Sequence, residues 1–179
     1  MTEIQLQKHP GVTLVSARVE MAEEIYTVVD QDREHIGQFL PFVDQTEAVQ
    51  DTLTYLESQL KISEPGKELI FTIQKDGKII GMIELHHYSA MDRRAEMGYW
   101  LTKAYTKQGI MTAAAKALCD YAFRVAGLHQ IIVLADVENP GSNGVIRAAG
   151  FTYLISHPDY SYRAGTYHDM NVYYRLANE

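Results

Sequence analysis

The chain holds 179 residues, of which 46% are hydrophobic, 22% charged and 10% aromatic, proportions that suit an ordinary soluble globular domain and exclude a collagen, a coiled coil or a disordered chain. A chain of this length buries roughly 70% of its unfolded surface and needs no covalent staples; its single cysteine, Cys119, excludes an intrachain disulfide or a cysteine-based zinc cluster and favours a reducing, cytoplasmic setting. A formal net charge of −7 argues against general nucleic-acid binding, which needs clustered Lys and Arg, and either suits basic substrates or merely keeps the protein dissolved.

The opening MTEIQLQKHP lacks the basic start and apolar core of a signal peptide, and no run approaches 18 apolar residues, so neither export nor a membrane span is expected. No repeat, linker or charge block divides the sequence, which reads as one domain over residues 1–179. Apolar alternation predicts a short strand over 12–17. Met21, Ile25, Val28 and Val29 then form one helical stripe, a loop is expected around Pro41, and Val49, Leu53, Leu56 and Leu60 mark a second amphipathic helix. Glu64-Pro65-Gly66 is expected to stop it, because Pro lacks an amide proton and Gly takes the left-handed turn.

From Leu69 the period shortens. Residues 69–74 and 78–85 are β-rich and are joined through Asp76-Gly77, which supplies the positive φ values of a tight hairpin. A second connection around 90–93 leads to 95–101, completing an antiparallel meander of three strands. Ile110, Ala114, Ala117, Leu118, Tyr121, Ala122 and Val125 mark a helix ending at Gly127. Residues 130–137 (QIIVLADV) form the most continuously apolar strand, expected at the centre with both faces covered. Ser142 is a candidate N-cap for a short helix over 143–149, closed by Gly150. A strand from Phe151, a tyrosine-rich loop and a last strand over 169–176 finish the chain. The order β-αα-βββ-α-β-α-ββ describes an α/β (α+β) protein with a mixed sheet and helices on both faces, and not a Rossmann alternation.

The stretch 99–112 (YWLTKAYTKQGIMT) joins a strand to a helix. The first turn of a helix leaves backbone N–H groups unpaired at the positive end of the peptide dipoles, and anions bind there. Gly109 would let a phosphate approach the backbone closely, while Lys107 adds charge and Thr112 a hydroxyl; a plain turn with a solvated lysine is the competing reading. Neither GxxxxGK[ST] nor GxGxxG occurs, so a nucleotide phosphate donor is not indicated.

Three pieces, Ala95-Glu-Met-Gly-Tyr-Trp-Leu101, Lys107-Gln-Gly-Ile-Met-Thr112 and Asn139-Pro-Gly-Ser142 running to Ala149-Gly-Phe151, span about a third of the chain and resemble the GCN5-related N-acetyltransferases (GNAT), within them the RimJ/RimL-like branch of ribosomal-protein N-terminal acetyltransferases. The resemblance implies a mostly antiparallel sheet of seven strands and an acetyl-CoA-dependent acyltransferase without a metal. It implies that the pyrophosphate rests on the amides of Lys107, Gln108, Gly109, Ile110, Met111 and Thr112. The pantetheine arm would lie along the backbone of Trp100, Leu101 and Thr102, in a gap between their strand and that of Leu134. Two positions depart from the family pattern: Thr106 stands where a Gln or Arg is usual, and Met111 where a Gly or Ala is usual. With Thr106, weakened but not abolished cofactor binding is expected.

Acetyl transfer to an amine needs a neutral amine, a polarised carbonyl and a proton for the departing thiolate. Cys119 falls inside an apolar helix and is rejected as a nucleophile. The resemblance puts the Ser142 hydroxyl beside the cofactor sulfur as acid, with an N-cap role compatible or alternative, and Asn139 on the pantetheine amides or a water. The resemblance implies a carboxylate base acting through water on the strand that leads into the cleft, which favours Glu96, with Glu84 its competitor because the register is unknown. His86 and His87, adjacent on a strand, should point to opposite faces and so not chelate one metal. Tyr160, Tyr162, Tyr167, Tyr173 and Tyr174 line the acceptor pocket or pack a sheet edge.

The expected activity is acetyl transfer to a primary amine by direct attack in a ternary complex, the acceptor being the N-terminal α-amine of a ribosomal protein. A small amine, an amino acid, an aminoglycoside or a non-catalytic acyl-CoA sensor are the alternatives. Neither nucleic acid nor membrane is an expected partner, and self-association into a homo-oligomer stays open.

Overall fold

The computed structural model describes residues 2–61 and 69–178, so the expected stop at Glu64-Pro65-Gly66 lies outside the described residues. β1 (Glu3–Gln5) and β2 (Val12–Ser16) lead through a 3-10 turn into α1 (Ala22–Gln31), α2 (Arg33–Gly37), α3 (Phe42–Gln45) and α4 (Val49–Leu60). The meander follows as β3 (Ile70–Lys75), β4 (Lys78–Ser89) and β5 (Arg94–Leu101). Then come α5 (Ile110–Arg124), β6 (Gln130–Asp136), α6 (Pro140–Ala148), β7 (Thr152–Arg163) and β8 (Thr166–Leu176). All eight described strands share one sheet in the order β1-β2-β3-β4-β5-β6-β8-β7, antiparallel except where β5 meets β6.

Alternation along β4 and β5 feeds two cores. Phe71, Ile83, Leu85, Met97 and Leu101 face the helix side built by Ala114, Leu118 and Ala122 of α5 and Ile146 of α6. Ile70, Met82 and Trp100 face the opposite side, against Ile25 and Val29 of α1 and Leu56 of α4. The Trp100 side chain is therefore a core aromatic, and Glu84, His86 and Glu96, at the same alternating positions, point to the α1/α4 side of the sheet.

Four expectations change. The sheet has eight strands instead of seven, because the three-residue, polar β1 pairs with β2 and is too short to show a period. The region around Pro41 holds the short helices α2 and α3, with Pro41 at the N-cap of α3, where its missing amide costs nothing. The apolar strand is sixth in the order, not central, and Ile132 and Leu134 are only half-buried because the sheet opens beside them. The tyrosine-rich loop is instead the two long arms of the β7–β8 hairpin, turning at Ala164 and Gly165 with φ of 50° and 82°. Both arms are largely exposed beyond the core, so they lack the one-sided apolar pattern from which a strand is read.

Candidate active site

The parallel strands β5 and β6 pair only at Arg94↔Gln130, Ala95↔Ile131 and Glu96↔Ile132. Beyond Glu96 they part, so 97–101 and 133–136 face each other without a ladder and leave main-chain groups open to a ligand. A cavity of about 700 Å³ fills the wedge, lined by both strands, the turn into α5, the start of α6 and residues 38–40.

At one end lies the first turn of α5. Lys107 and Gly109 both adopt left-handed backbone, with φ of 60° and 77°. Gly109 is the N-cap, and the first helical amide to find a partner is that of Ala113, on the Gly109 carbonyl at 3.0 Å. The amides of Ile110, Met111 and Thr112 thus have no intrahelical acceptor, and all three residues line the cavity with Thr106, Lys107 and Gly109. Thr102 and Gln108 fall outside that lining: the Thr102 amide donates to the Ile80 carbonyl at 2.9 Å, and Gln108 Nε2 folds back on the Ala104 carbonyl at 3.0 Å. Trp100 and Leu101 do line it.

At the far side sits the start of α6. Asn139, not Ser142, is the N-cap: its Oδ1 accepts from the Ser142 amide at 3.0 Å, with Pro140 in the first helical turn. A ligand contact from Asn139 therefore falls to its Nδ2. Ser142, freed from capping, has its hydroxyl 2.8 Å from the Tyr99 hydroxyl, and both residues line the cavity. Burial pushes the Tyr99 phenol up to about 12, helped by Tyr173 and opposed by the bond to Ser142, so it stays protonated at neutral pH. Behind them Asn143 is saturated: its Nδ2 donates to the carbonyls of Asp136 (2.8 Å) and Asn139 (2.7 Å), and its Oδ1 accepts from Asn171 Nδ2 (2.8 Å) and Tyr173 Oη (2.7 Å). This pins α6 to β6 and β8 and fixes the Ser142 position.

The carboxylates lie at the narrow end of the wedge. Neither Glu84 nor Glu96 lines the cavity, but Gly98 does, and a Cβ at Gly98 would stand 2.9 Å from His86 Cε1 and 3.5 Å from Glu84 Oε1. The glycine thus lets the His86 ring pack directly on the β5 backbone beside the cavity. His86 lies between the two acids, with Nε2 3.3 Å from Glu96 and Nδ1 3.5 Å from Glu84; Nδ1 is buried without a hydrogen bond, so its pairing with Glu84 is coulombic. Burial opposes the imidazolium, yet Glu84 and Glu96 together outweigh it and raise His86 to about 9. For Glu96 burial works upward, and His86 and His87 overcome it to hold the carboxyl below its usual range. Tyr55 of α4 donates to Glu84, and burial together with that anion raises its pKa.

His86 favours folding while it is protonated, so its contribution is complete below pH 6.5, the ordinary histidine value, and is lost as pH rises through about 9. Urea midpoints measured from pH 6.5 to 9 are expected to fall for the parent and to fall less for His86→Gln. Glu96, being lowered, acts oppositely, stabilising above its ordinary 4.5 and ceasing to do so as pH drops through its folded value.

The expectation that His86 and His87 diverge is overturned. His87 has a left-handed φ of 49° where the β4–β5 register breaks, so its ring turns onto Glu96 with Nδ1 3.2 Å from Oε2, and the two imidazoles meet at 4.7 Å. Among the described residues His86, His87 and Glu96, and separately Asp136, Glu138 and His168, have the geometry to hold an ion. His86 is ion-paired with both Glu84 and Glu96, and Arg163 Nη2 lies 2.6 Å from Asp136. Arg163 also donates to the Gln38 carbonyl at 2.9 Å, tying the β7–β8 hairpin to the loop that roofs the cavity.

Cys119 is fully buried in α5, and burial, only partly offset by Arg175, pushes its thiol up to about 11. Tyr160, Tyr162 and Tyr167 are exposed on the hairpin, Tyr173 is buried on Asn143, and Tyr174 is half-buried; none lines the cavity. Tyr99, Asn143 and Arg163 are the residues that sequence reasoning missed. Alternation would have turned Tyr99 away from Trp100, toward α6, but its partner lies 43 residues away.

A sheet splayed beside a helix with free first-turn amides is what the resemblance led one to expect, and residues 12–152 match the model of the acetyltransferase (GNAT) domain family. The chain belongs to the GNAT family of acetyltransferases. This acetyltransferase is 32% identical over 165 residues to the putative ribosomal N-acetyltransferase YdaF of Bacillus subtilis, covering 87% of this chain and 85% of that one. It is 25% identical over 154 residues to the ribosomal-protein-serine acetyltransferase of Escherichia coli, with 86% of each chain covered. Among solved structures, RimL, the ribosomal L7/L12 α-N-protein acetyltransferase in complex with coenzyme A, superposes with a TM-score of 0.90 at 21% identity, covering 98% of both chains. The GNAT acetyltransferase also has no described helix long and apolar enough to cross a membrane.

Proposed function

We propose that the chain, as one domain over residues 1–179, transfers the acetyl group of acetyl-CoA to the α-amine at a protein N-terminus, a ribosomal protein being the favoured acceptor class. The observation carrying this reading is the wedge between β5 and β6, with unpaired amides at one end and a serine–tyrosine pair beside it. The names of the relatives support the acceptor class, and a chain of formal charge −7 suits a basic acceptor.

In this reading the amides of Lys107 and Gly109–Thr112 hold the pyrophosphate, the side chain of Lys107 adds charge, and the backbone of Trp100 and Leu101 lies along the pantetheine arm. Asn139 Nδ2 meets an amide carbonyl of that arm. The incoming ammonium gives a proton to Glu96 through water. The neutral amine attacks the thioester carbonyl, the C–S bond breaks, Ser142 protonates the thiolate, Tyr99 returns a proton to the serine, and the second N–H proton lost by the acceptor nitrogen returns to Tyr99 through water. Glu84 stays bound to Tyr55 and paired with His86, whereas Glu96 has the solvent-exposed His87 beside it, and in this reading Glu96 is the base.

Thiol release from acetyl-CoA, measured against peptides, polyamines and free amino acids, tests the reading. Release is expected with peptides whose N-terminal residue is Ser or Ala and that carry downstream Lys or Arg. Release with small amines alone would overturn the acceptor class, and acetyl-CoA binding without release on any amine would make the protein a sensor.

A further inference from the structure

The unusual backbone at His87 has a chemical consequence for the proton that Glu96 receives. A carboxyl held below its ordinary pKa by neighbouring imidazoles cannot keep a proton at neutral pH, so each turnover needs an onward acceptor. His86 cannot serve: it already carries a proton, and its other nitrogen is buried toward Glu84. His87 can. Its Nδ1 lies 3.2 Å from Glu96 Oε2, and the side chain is 77% exposed, against 25% for Glu96. A non-glycine residue at φ 49° is strained, and here the strained turn takes His87 off the face that alternation would share with Leu85 and sets it between a half-buried carboxylate and solvent.

We propose that His87 is the proton outlet of the active site, carrying the proton released by the acceptor amine from Glu96 to solvent. The ammonium N–H bond breaks and an O–H bond forms on Glu96. At rest His87 Nδ1–H donates to the ionised Glu96 carboxylate; once the carboxyl is protonated the ring exchanges through solvent to its Nε2–H tautomer, and the Glu96 O–H bond breaks as Nδ1 takes the proton. The resulting imidazolium releases its Nε2 proton to water or buffer, which leaves the Nδ1–H ring of the starting state. One proton reaches solvent per amide bond formed, and no residue changes its net charge. The titratable groups around this path are Glu96 on β5, His86 and Glu84 on β4, and Tyr55 of α4 on Glu84. His87 touches neither substrate nor cofactor; it acts through Glu96, so the inference rests on Glu96 being the base.

His87→Asn and His87→Gly are the suitable variants, since both residues tolerate the left-handed backbone. In weakly buffered solution near pH 7 their kcat is expected to fall on the order of tenfold, with acetyl-CoA affinity unchanged. Added imidazole should restore the rate in proportion to its concentration, while the parent is insensitive to it. A side chain needed only for folding would not be replaced by dissolved imidazole. Parental kcat in both variants, or a loss that imidazole does not repair, overturns the outlet but leaves Glu96 as base, provided that Glu96→Gln is impaired. Glu96→Gln at the parental rate overturns the base reading and the outlet with it.

Discussion

Gly109→Pro is expected to weaken acetyl-CoA binding by roughly a hundredfold in calorimetry, the largest single-residue effect in the cofactor site. Gly109 has φ 77°, and proline is fixed near −65°, so the turn that aims the amides of Ile110, Met111 and Thr112 into the cavity cannot persist. Disrupting such a turn costs about 3 kcal/mol, and every 1.4 kcal/mol is about tenfold in affinity. Space is not the reason for the glycine. A Cβ there would meet only the His9 ring, at 3.7 Å, so Gly109→Ala carries just the left-handed cost of roughly 1–2 kcal/mol and should lose about tenfold. An unchanged dissociation constant in the proline variant would remove the α5 turn from the cofactor site.

Ser142→Ala should lower kcat at least about tenfold, within the usual range for lost acid–base help, with acetyl-CoA affinity little altered. The helix does not need this hydroxyl, because Asn139 supplies the cap. A stability change is therefore not expected, and thermal unfolding of the variant separates the two roles. Tyr99→Phe removes the group 2.8 Å away that would return the proton, and should lower kcat less than Ser142→Ala does. Unaltered turnover in Ser142→Ala would exclude the serine from the reaction.

Most of the fold was legible in the sequence because burial writes its period into it. The α4 stripe ending at Leu60, the Asp76-Gly77 turn and the α5 stripe from Ile110 each record one apolar face. The stretches that were misread lack such a face: β1 is three polar-flanked residues, and β7 together with the start of β8 is exposed. The site divides in the same way. The α5 turn and α6 start are local motifs, so Gly109 could be named from its neighbours in sequence, and Asn139 and Ser142 from the family resemblance that their motif carries. The partnership of Tyr99 with Ser142 and that of His86 and His87 with Glu96 depend on register and on one left-handed residue, which alternation cannot foresee.

A crystal of the protein grown with acetyl-CoA addresses the central claim most directly. The pyrophosphate should lie on the amides between Lys107 and Thr112, and the thioester should enter the wedge between β5 and β6 within reach of Ser142. A wedge found closed, or coenzyme A bound elsewhere on the molecule, would contradict it.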